Sequence, residues 1–300
     1  MSFKVIKSNF LATIQDYGRL NHGEHGLGQS GIADEHAYCW GNYLLDNAFN
    51  CAVIEITFGT LVLEAQVTTF IAVTGADLDF KINNTSVAIW RTVQVHKGDI
   101  LSWGNSKHGL RAYLSVKSGF NTPIFFDSKS VNLREKIGTP LKQGDTLPCI
   151  AFNKTNARFI PSKYLPDYNQ ALALRILPSY QFNLFTTEAQ KTLFNQFYTI
   201  GKASDRAGCR LEGAPIEHHK KTMVSEGMAY GSVEIANGLP IILLKDAPNI
   251  GGYPKIGTVF SLDLAQLAQR HPNTLLRFEP IDIKTAQSER KEFNQFFKII

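Results

Sequence analysis

The stretch AVIEITFGTLVLEAQVTTFIAVTG, residues 52–75, sets the expectation for the fold. It contains three short runs rich in Val, Ile, Thr and Phe, the residues that favour strands, and short polar stretches separate the runs. Similar runs follow at 86–95 and 110–118. Gly-Asp pairs at 98–99 and 144–145 each precede a new apolar run, as at the corners of barrels and sandwiches. The sequence therefore predicts a mainly β fold with a few helices.

Helices are predicted at four places, residues 34–47, 186–197, 261–272 and 285–300. Asp34 is the N-cap candidate of the first helix. In the second, Thr187 is followed three residues later by Gln190, which is a capping-box pattern. The last helix carries an apolar stripe of Phe293, Phe296, Phe297 and Ile300. We interpret that stripe as a face docked on the protein's own core rather than on a partner.

The segment NKTNARFIPSKYLPDYNQ, residues 153–170, is polar, contains two prolines and lacks either periodicity. It predicts a boundary near residue 165, with one lobe over 1–165 and another over 166–300. The pieces VIEITFG (53–59) and SVEIANG (232–238) both place a Glu inside a strand just before a glycine turn. A duplicated barrel would explain this echo, and so would chance.

The bulk composition is that of a globular protein, with 300 residues, 44% hydrophobic and 19% charged. The net charge is +5, but the basic residues are scattered, and the densest patch is HHKK at 218–221. Nucleic-acid binders carry a stripe of basic and aromatic residues instead, so no nucleic-acid partner is expected. The N-terminus has no long apolar region, and the apolar runs are too short to span a bilayer. We therefore expect a cytoplasmic protein without a membrane partner.

Several motifs of known chemistry are missing from the sequence. It has no Walker-type GxxxxGK[ST], no GxGxxG after a strand, no GxSxG and no HExxH. The four cysteines lie far apart without a CxxC pair, so they are expected to be reduced and buried. His22 and His25 lack a clear third ligand, so no metal is predicted. No Met-Lys-Met site is present, so no biotin is expected to be attached to this chain.

Dense polar clusters remain beside glycine bends, at 13–19, 127–134, 204–213 and 226–246. Each has a structural explanation of its own: Asp16 and Arg19 could pair across a turn, and Asp205 could cap one. Together they favour a site for a small polar ligand, because glycine admits backbone N–H groups close to a ligand.

Six motifs then occur in order: TIQDYGR (13–19), GLGQSGIAD (26–34), IEITFG (54–59), SDRAGCRLEG (204–213), SEGMAYG with GLPIILL (225–244) and GGYPKIGTV (251–259). The series resembles the biotin-dependent carboxyltransferase family that includes the 5-oxoprolinase C subunit, the allophanate hydrolase subunit 2-like proteins and the antagonist of the sporulation kinase inhibitor. The resemblance runs from near residue 10 to near residue 280.

The resemblance implies a fold of two cyclophilin-like β-barrel lobes, similar to the carboxyltransferase region of urea carboxylase. It also implies a role beside a partner like the 5-oxoprolinase B subunit, together with an A subunit, in opening 5-oxo-L-proline to L-glutamate. That reaction consumes ATP, and which of the proteins binds ATP stays open. A non-catalytic partner of a kinase-inhibitor-like B component and a urea-type amide carboxyltransferase are the alternatives.

A lactam is a stabilised amide, so its opening needs cations for developing negative charge and a base. On the matching motifs, the expected catalytic residues are Asp16, Asp205, Arg206 and Glu226. The expected substrate-binding residues are Gln15, Arg19, Ser128, Lys129, Ser130, Arg210, Gly251, Gly252, Tyr253 and Lys255. The loop NIGGYPKIGTV (249–259) could cradle a phosphate, turn a barrel corner or line a ligand site. Since no Gly-Lys-Ser/Thr is present, we interpret it as a wall of the substrate site, with Tyr253 and Lys255 facing Asp205 and Arg206.

The chain departs from the family pattern at positions expected to line that site. Ser118-Gly119 stands where Gly-Gly is usual, and Lys129 stands in place of an arginine, which loses bidentate geometry. Glu234 replaces a neutral amide, and Asn249 replaces a threonine. These changes point to an altered substrate or to a non-catalytic relative.

Overall fold

The computed structural model describes residues 1–218 and 223–299, which form two compact units. The N-terminal unit comprises Met1–Leu20, Ser30–Asn169 and Phe297–Ile299. The C-terminal unit comprises Asn21–Gln29 and 170–296. Within the HHKK patch, 219–221 lie outside the described residues, as does Ile300 of the apolar stripe.

The strands of the N-terminal unit follow in chain order: β1 (Ser2–Ser8), β2 (Ala12–Gln15), β3 (Val53–Thr57), β4 (Leu61–Ala65), β5 (Thr69–Asp77), β6 (Lys81–Ile82), β7 (Thr85–Ser86), β8 (Thr92–Val95), β9 (Ile100–Ser102), β10 (His108–Val116) and β11 (Thr146–Pro148). They form one sheet in the order β11-β1-β4-β9-β6-β7 and another in the order β2-β3-β10-β5-β8. Side chains from both sheets, among them Leu63 and Ile54, share one apolar core.

The C-terminal unit continues with β12 (Leu172–Pro178), β13 (Tyr198–Ile200), β14 (Gly208–Glu212), β15 (Glu226–Gly227), β16 (Ser232–Ala236), β17 (Leu239–Leu243), β18 (Ile250–Gly251), β19 (Lys255–Val259) and β20 (Leu275–Pro280). A closed barrel has the order β12-β19-β16-β17-β14-β13-β20. Its ends meet where β12 and β20 pair in parallel. Strands β15 and β18 form a separate two-residue ribbon. The predicted mainly β fold is confirmed, with its closed barrel in this unit.

The helices are α1 (Glu35–Leu44), α2 (Thr187–Asn195), α3 (Asp263–Leu267) and α4 (Ile283–Phe297). Asp34 caps α1 as predicted, since its side chain accepts a hydrogen bond from the Ala37 N–H. The expected cap of α2 was one residue late: Thr186 is the N-cap and accepts from the Ala189 N–H. Gln190 makes no capping box, because its side chain donates to the carbonyls of Phe182 and Phe185.

The predicted apolar face of α4 docks only in part. The ring of Phe297 packs edge-on against the buried Trp40, with the ring centroids 5.0 Å apart. Among the side chains described in this helix, Ala286 is the buried one, whereas Phe296 is 49% exposed. The third helix is also shorter than predicted. The N–H groups of Gln269 and Arg270 bond to carbonyls three residues earlier, as in a 3₁₀ turn, and the α-helix ends before them. In the part of the chain that the structure describes, the helices all lack the length and apolar character needed to cross a bilayer.

The echo between VIEITFG and SVEIANG has a structural basis. After β3, Phe58 and Gly59 have φ angles of 63° and 98°, and after β16, Asn237 and Gly238 have φ angles of 52° and 78°. The second turn closes the β16–β17 hairpin with the two left-handed residues that such hairpins favour. The first carries the chain from one sheet to the other, because β3 and β4 belong to different sheets.

Candidate functional site

In the N-terminal unit, Asp16 lies at the centre of a buried cluster that joins the loop after β2 to residues 128–130. Its Oδ1 accepts hydrogen bonds from the hydroxyls of Ser128 and Ser130, both at 2.6 Å, and from the Gly18 N–H at 3.0 Å. Its Oδ2 accepts from the Lys129 N–H at 2.7 Å. Asp16 is only 2% exposed as a residue, so these four donors replace water around its carboxylate. We call this group the Asp16 cluster.

The other expected residues of this unit hold the same two loops together. The guanidinium of Arg19 donates to the carbonyls of Ser130 and Phe125. Gln15 donates to the Val131 carbonyl at 3.0 Å, and the Lys129 ammonium donates to the Phe120 carbonyl at 2.8 Å. These polar groups are therefore engaged with backbone, which is what a loop-anchoring role requires. Their assignment to substrate binding stays a prediction.

In the C-terminal unit, Asp205 and Arg206 begin the turn before β14. The Asp205 carboxylate accepts from the N–H groups of Ala207 and Gly208, at 2.8 and 3.0 Å, and so caps the turn. Arg206 forms an ion pair with Asp246, in which both side chains are about nine-tenths buried, at 10% and 9% exposed. Arg210 points outward from β14, where it is exposed.

A second polar cluster, the Lys255 cluster, consists of Tyr180, Gln181, Glu226 and Lys255. The Lys255 Nζ lies 3.0 Å from Glu226 Oε1, and Gln181 Nε2 donates to the same oxygen at 2.8 Å. The Tyr180 hydroxyl donates to Glu226 Oε2. Gln181 also accepts from the Lys255 N–H at 2.8 Å, which fixes the start of β19. The hydrogen bond from Tyr180 and then the nearby Lys255 lower the pKa of Glu226.

Glu234 stands directly opposite Lys255 in the pairing of β16 with β19. Its neighbours Val233 and Ile235 point into the barrel core, so Glu234 points to the outer face. The residue is 6% exposed. Burial, as the largest effect, raises its pKa, and the nearby Tyr253 N–H lowers it. Its Oε1 has no hydrogen-bond partner among the described residues.

The register places Arg210, Ile241, Glu234 and Lys255 in one row across four neighbouring strands. Neighbouring strands lie about 4.8 Å apart, so the row is short enough for one small ligand to contact several of its members. The ribbon of β15 and β18 brings Gly251 against Glu234: a Cβ on Gly251 would lie 2.2 Å from Glu234 Oε1. A side chain at this position would thus displace the carboxylate.

The structure brings Glu226, Gly251 and Lys255 together around Glu234. Arg206 is paired with Asp246, and Asp16 belongs to the N-terminal unit.

The remaining residues of the 249–259 loop contribute less to this group. Tyr253 contributes its N–H, and the residue is 49% exposed. Gly252 follows Gly251, and a Cβ at this position would lie 3.3 Å from the Ser225 hydroxyl. The joint action of Tyr253 and Lys255 with Asp205 and Arg206 stays a prediction.

Two residues of this region, Tyr180 and Gln181, were not predicted as members of the site. Glu234 was expected to line the site as a departure from the family pattern, but no role was assigned to it, although a carboxylate within the apolar strand SVEIA is itself a signal. Tyr180 and Gln181 follow a strand end without any motif.

The cysteines and possible metal ligands add no further centre. Cys39, Cys51, Cys149 and Cys209 are all free, and Cys51 is only partly buried, against the expectation that all four are buried. Within residues 1–218 and 223–299, no group of three or more His, Cys, Asp or Glu side chains could hold a metal ion.

Comparison with known families identifies the group to which this architecture belongs. The model of the carboxyltransferase domain, subdomains A and B, matches residues 25–280. The chain belongs to this carboxyltransferase domain family. The match spans the barrel and most of the N-terminal unit, and it includes the whole of the Lys255 cluster.

Individual members of the carboxyltransferase domain family match nearly the whole chain. The C subunit of 5-oxoprolinase from Haemophilus influenzae is 34% identical over 289 residues, which cover 94% of this chain and 92% of that protein. The corresponding C subunit from Escherichia coli is 28% identical, with 98% of this chain and 96% of that protein covered.

The solved structure of the Kluyveromyces lactis urea amidolyase has the same fold, with a TM-score of 0.89 at 24% identity over 99% of this chain. The chain spans 20% of that much longer protein. The carboxyltransferase domain thus occurs both as a chain of this size and as part of a larger enzyme.

Proposed function

We propose that this chain is the C subunit of an ATP-dependent 5-oxoprolinase. In this proposal it acts in the cytoplasm with a partner like the 5-oxoprolinase B subunit, and with an A subunit, to convert 5-oxo-L-proline to L-glutamate. The observation that carries the proposal is the match with the Haemophilus influenzae protein, which covers more than nine-tenths of both chains. Because the match runs end to end, the resemblance does not depend on one shared motif.

The Lys255 cluster has the chemistry that an amide substrate needs. The Lys255 ammonium can stabilise negative charge on the lactam oxygen as the ring opens. Glu226 is ionised at neutral pH, since its pKa is lowered, so its carboxylate can accept a hydrogen bond from the amide group and hold the Lys255 ammonium in place. The exposed Arg210, on the same outer face, can attract the carboxylate of 5-oxoproline.

ATP enters this proposal as a co-substrate of the whole complex. Phosphorylation of the lactam oxygen would make the carbonyl carbon easier to attack, and the loop at 249–259 lacks the Gly-Lys-Ser/Thr of a P-loop. We therefore propose that this chain binds the amide substrate, and we assign ATP binding to the complex without naming the subunit.

The test is reconstitution of the chain with its A and B partners. The expected result is L-glutamate release that requires both ATP and 5-oxo-L-proline, and that is lost when this chain is left out. Tight binding to the B partner without glutamate release would favour the non-catalytic alternative. Transfer of a carboxyl group from carboxybiotin to a urea-type amide, in place of lactam opening, would favour the carboxyltransferase alternative.

A further inference from the structure

The carboxylate of Glu234 is buried, and one of its two oxygens is unused. Oε1 makes no hydrogen bond with any described residue, although Glu234 is only 6% exposed. Leaving a buried carboxylate oxygen without a donor is destabilising, because the oxygen has lost its water and gained no partner in exchange. The outer face of the barrel at β16 therefore carries a strong acceptor that no donor among the described residues satisfies.

The surroundings of Oε1 restrict that donor to a small group. Gly251 lies against the carboxylate and presents no side chain. The end of the Met228 side chain lies beside Gly251, with its Cε 2.9 Å from the position that a Cβ on Gly251 would occupy. A methionine side chain has three rotatable bonds and repacks easily, so it can give way to a ligand.

The charges nearby favour an N–H donor. The carboxylates of Glu226 and Glu234 face the single ammonium of Lys255, which the Glu226 carboxylate already binds at 3.0 Å. Lys255 contacts Glu226 and does not donate to Oε1 of Glu234, so that oxygen retains its need for a donor. A ligand carbonyl oxygen could not meet that need, but an amide or lactam N–H could.

We propose that Glu234 determines the specificity of this site, with Oε1 accepting a hydrogen bond from the N–H of a small primary or secondary amide, a lactam included. The inference rests on the proposed function and deepens it, since it names the group through which the substrate is selected. Amides whose nitrogen carries a methyl group in place of hydrogen are rejected, because they leave Oε1 without a donor.

The substitution Glu234→Gln gives a sharp test, because it removes the charge and replaces one of the two acceptor oxygens with an NH₂ donor at little change of shape. Glu212→Gln, at an exposed position of β14, is the matched control.

Gly251→Ala tests the same geometry without changing any charge. Its Cβ would come within 2.2 Å of Oε1, so the carboxylate must move away. Gly227→Ala is its control on the opposite strand of the ribbon, where a Cβ would meet nothing within 4 Å. Thermal unfolding of each variant establishes that it is folded.

The experiment measures binding of 5-oxo-L-proline and its N-methyl derivative to the full chain and to the reconstituted complex, by isothermal titration calorimetry. In the wild type and both controls, the N–H lactam should bind at least about tenfold more tightly than the N-methyl lactam. In Glu234→Gln and Gly251→Ala, the ratio should fall to about one.

An unchanged ratio in both folded variants would overturn the inference, and so would wild-type protein that binds neither lactam. Turnover separates the two proposals. A wild-type complex that releases glutamate but shows no N–H preference keeps the proposed function and refutes the role of Glu234. Selective binding of the N–H lactam without glutamate release supports the role of Glu234 and refutes the proposed function.

Discussion

Asp246 holds Arg206 through two guanidinium nitrogens, with its Oδ2 2.8 Å from Nε and its Oδ1 3.3 Å from Nη2. Both side chains are about nine-tenths buried. Removing one partner of such a pair leaves an uncompensated charge, so Asp246→Ala should lower the free energy of unfolding by about 3–5 kcal/mol. Urea denaturation measures this loss. Arg277→Ala is the control: its pair with Glu279 is half exposed, and we expect a change within about 1 kcal/mol.

From the hydrogen bonds of the Asp16 cluster we predict that Asp16 stabilises the fold, whether or not it also takes part in turnover. Asp16→Ala leaves the buried donors of Ser128, Lys129, Ser130 and Gly18 without an acceptor. The loss of unfolding free energy should be about 3 kcal/mol or more. Asp205→Ala removes an acceptor from two donors at an exposed turn, and it should cost about 1 kcal/mol. Equal losses in the two variants would show that burial of the Asp16 cluster is not what matters.

The Lys255 cluster predicts an effect on turnover. If the ammonium stabilises charge on the lactam oxygen, Lys255→Ala should lower kcat of the reconstituted complex by about 100-fold or more. Lys191→Ala, an exposed lysine of α2, is the control and should leave kcat unchanged. Initial rates of glutamate release measure both. Wild-type kcat in a folded Lys255→Ala variant would remove Lys255 from the proposed chemistry.

His36 predicts a pH dependence of stability. Burial lowers its pKa from 6.5 to about 4, and the Trp40 Nε1–H donates to its Nε2 at 3.0 Å, which requires that nitrogen to be unprotonated. Between pH 6.5 and pH 4 the unfolded chain therefore binds a proton that the folded chain does not. Stability falls as pH drops through this window, by up to roughly 3 kcal/mol from this group.

The measurement for His36 is the free energy of unfolding at pH 7 and pH 4. The drop should be smaller in His36→Gln than in the wild type, whereas His96→Gln, at an exposed position, should keep the wild-type drop. An identical pH dependence in all three proteins would show that His36 does not contribute.

Strands could be predicted from the sequence wherever the signal is local. The runs at 52–57, 60–65 and 68–75 became β3, β4 and β5 with shifts of a residue or two, because residue type and the glycine turn act within a few positions. The Asp34 cap is equally local. The end of α3 was predicted too late because it depends on backbone bonds that residue type does not encode.

The grouping of the site residues could not be predicted in this way. Gln181, Glu226 and Lys255 meet because barrel closure brings together β12, β19 and the ribbon. The sequence shows only three polar positions far apart. The sequence also does not show that Arg206 and Lys255 each have an acidic neighbour, because Asp246 and Glu226 reach them only through the fold.

The parallel pairing of β12 with β20 has a consequence for synthesis of the chain. Leu172 cannot pair with Leu276 until the ribosome has added that residue, about a hundred positions later. At the usual rates of translation the delay is roughly 5–20 s. During that interval β12 presents an unpaired edge that other nascent chains could join. Chaperone demand should therefore peak late in translation, and slower elongation between residues 178 and 275 should lower the yield of soluble protein.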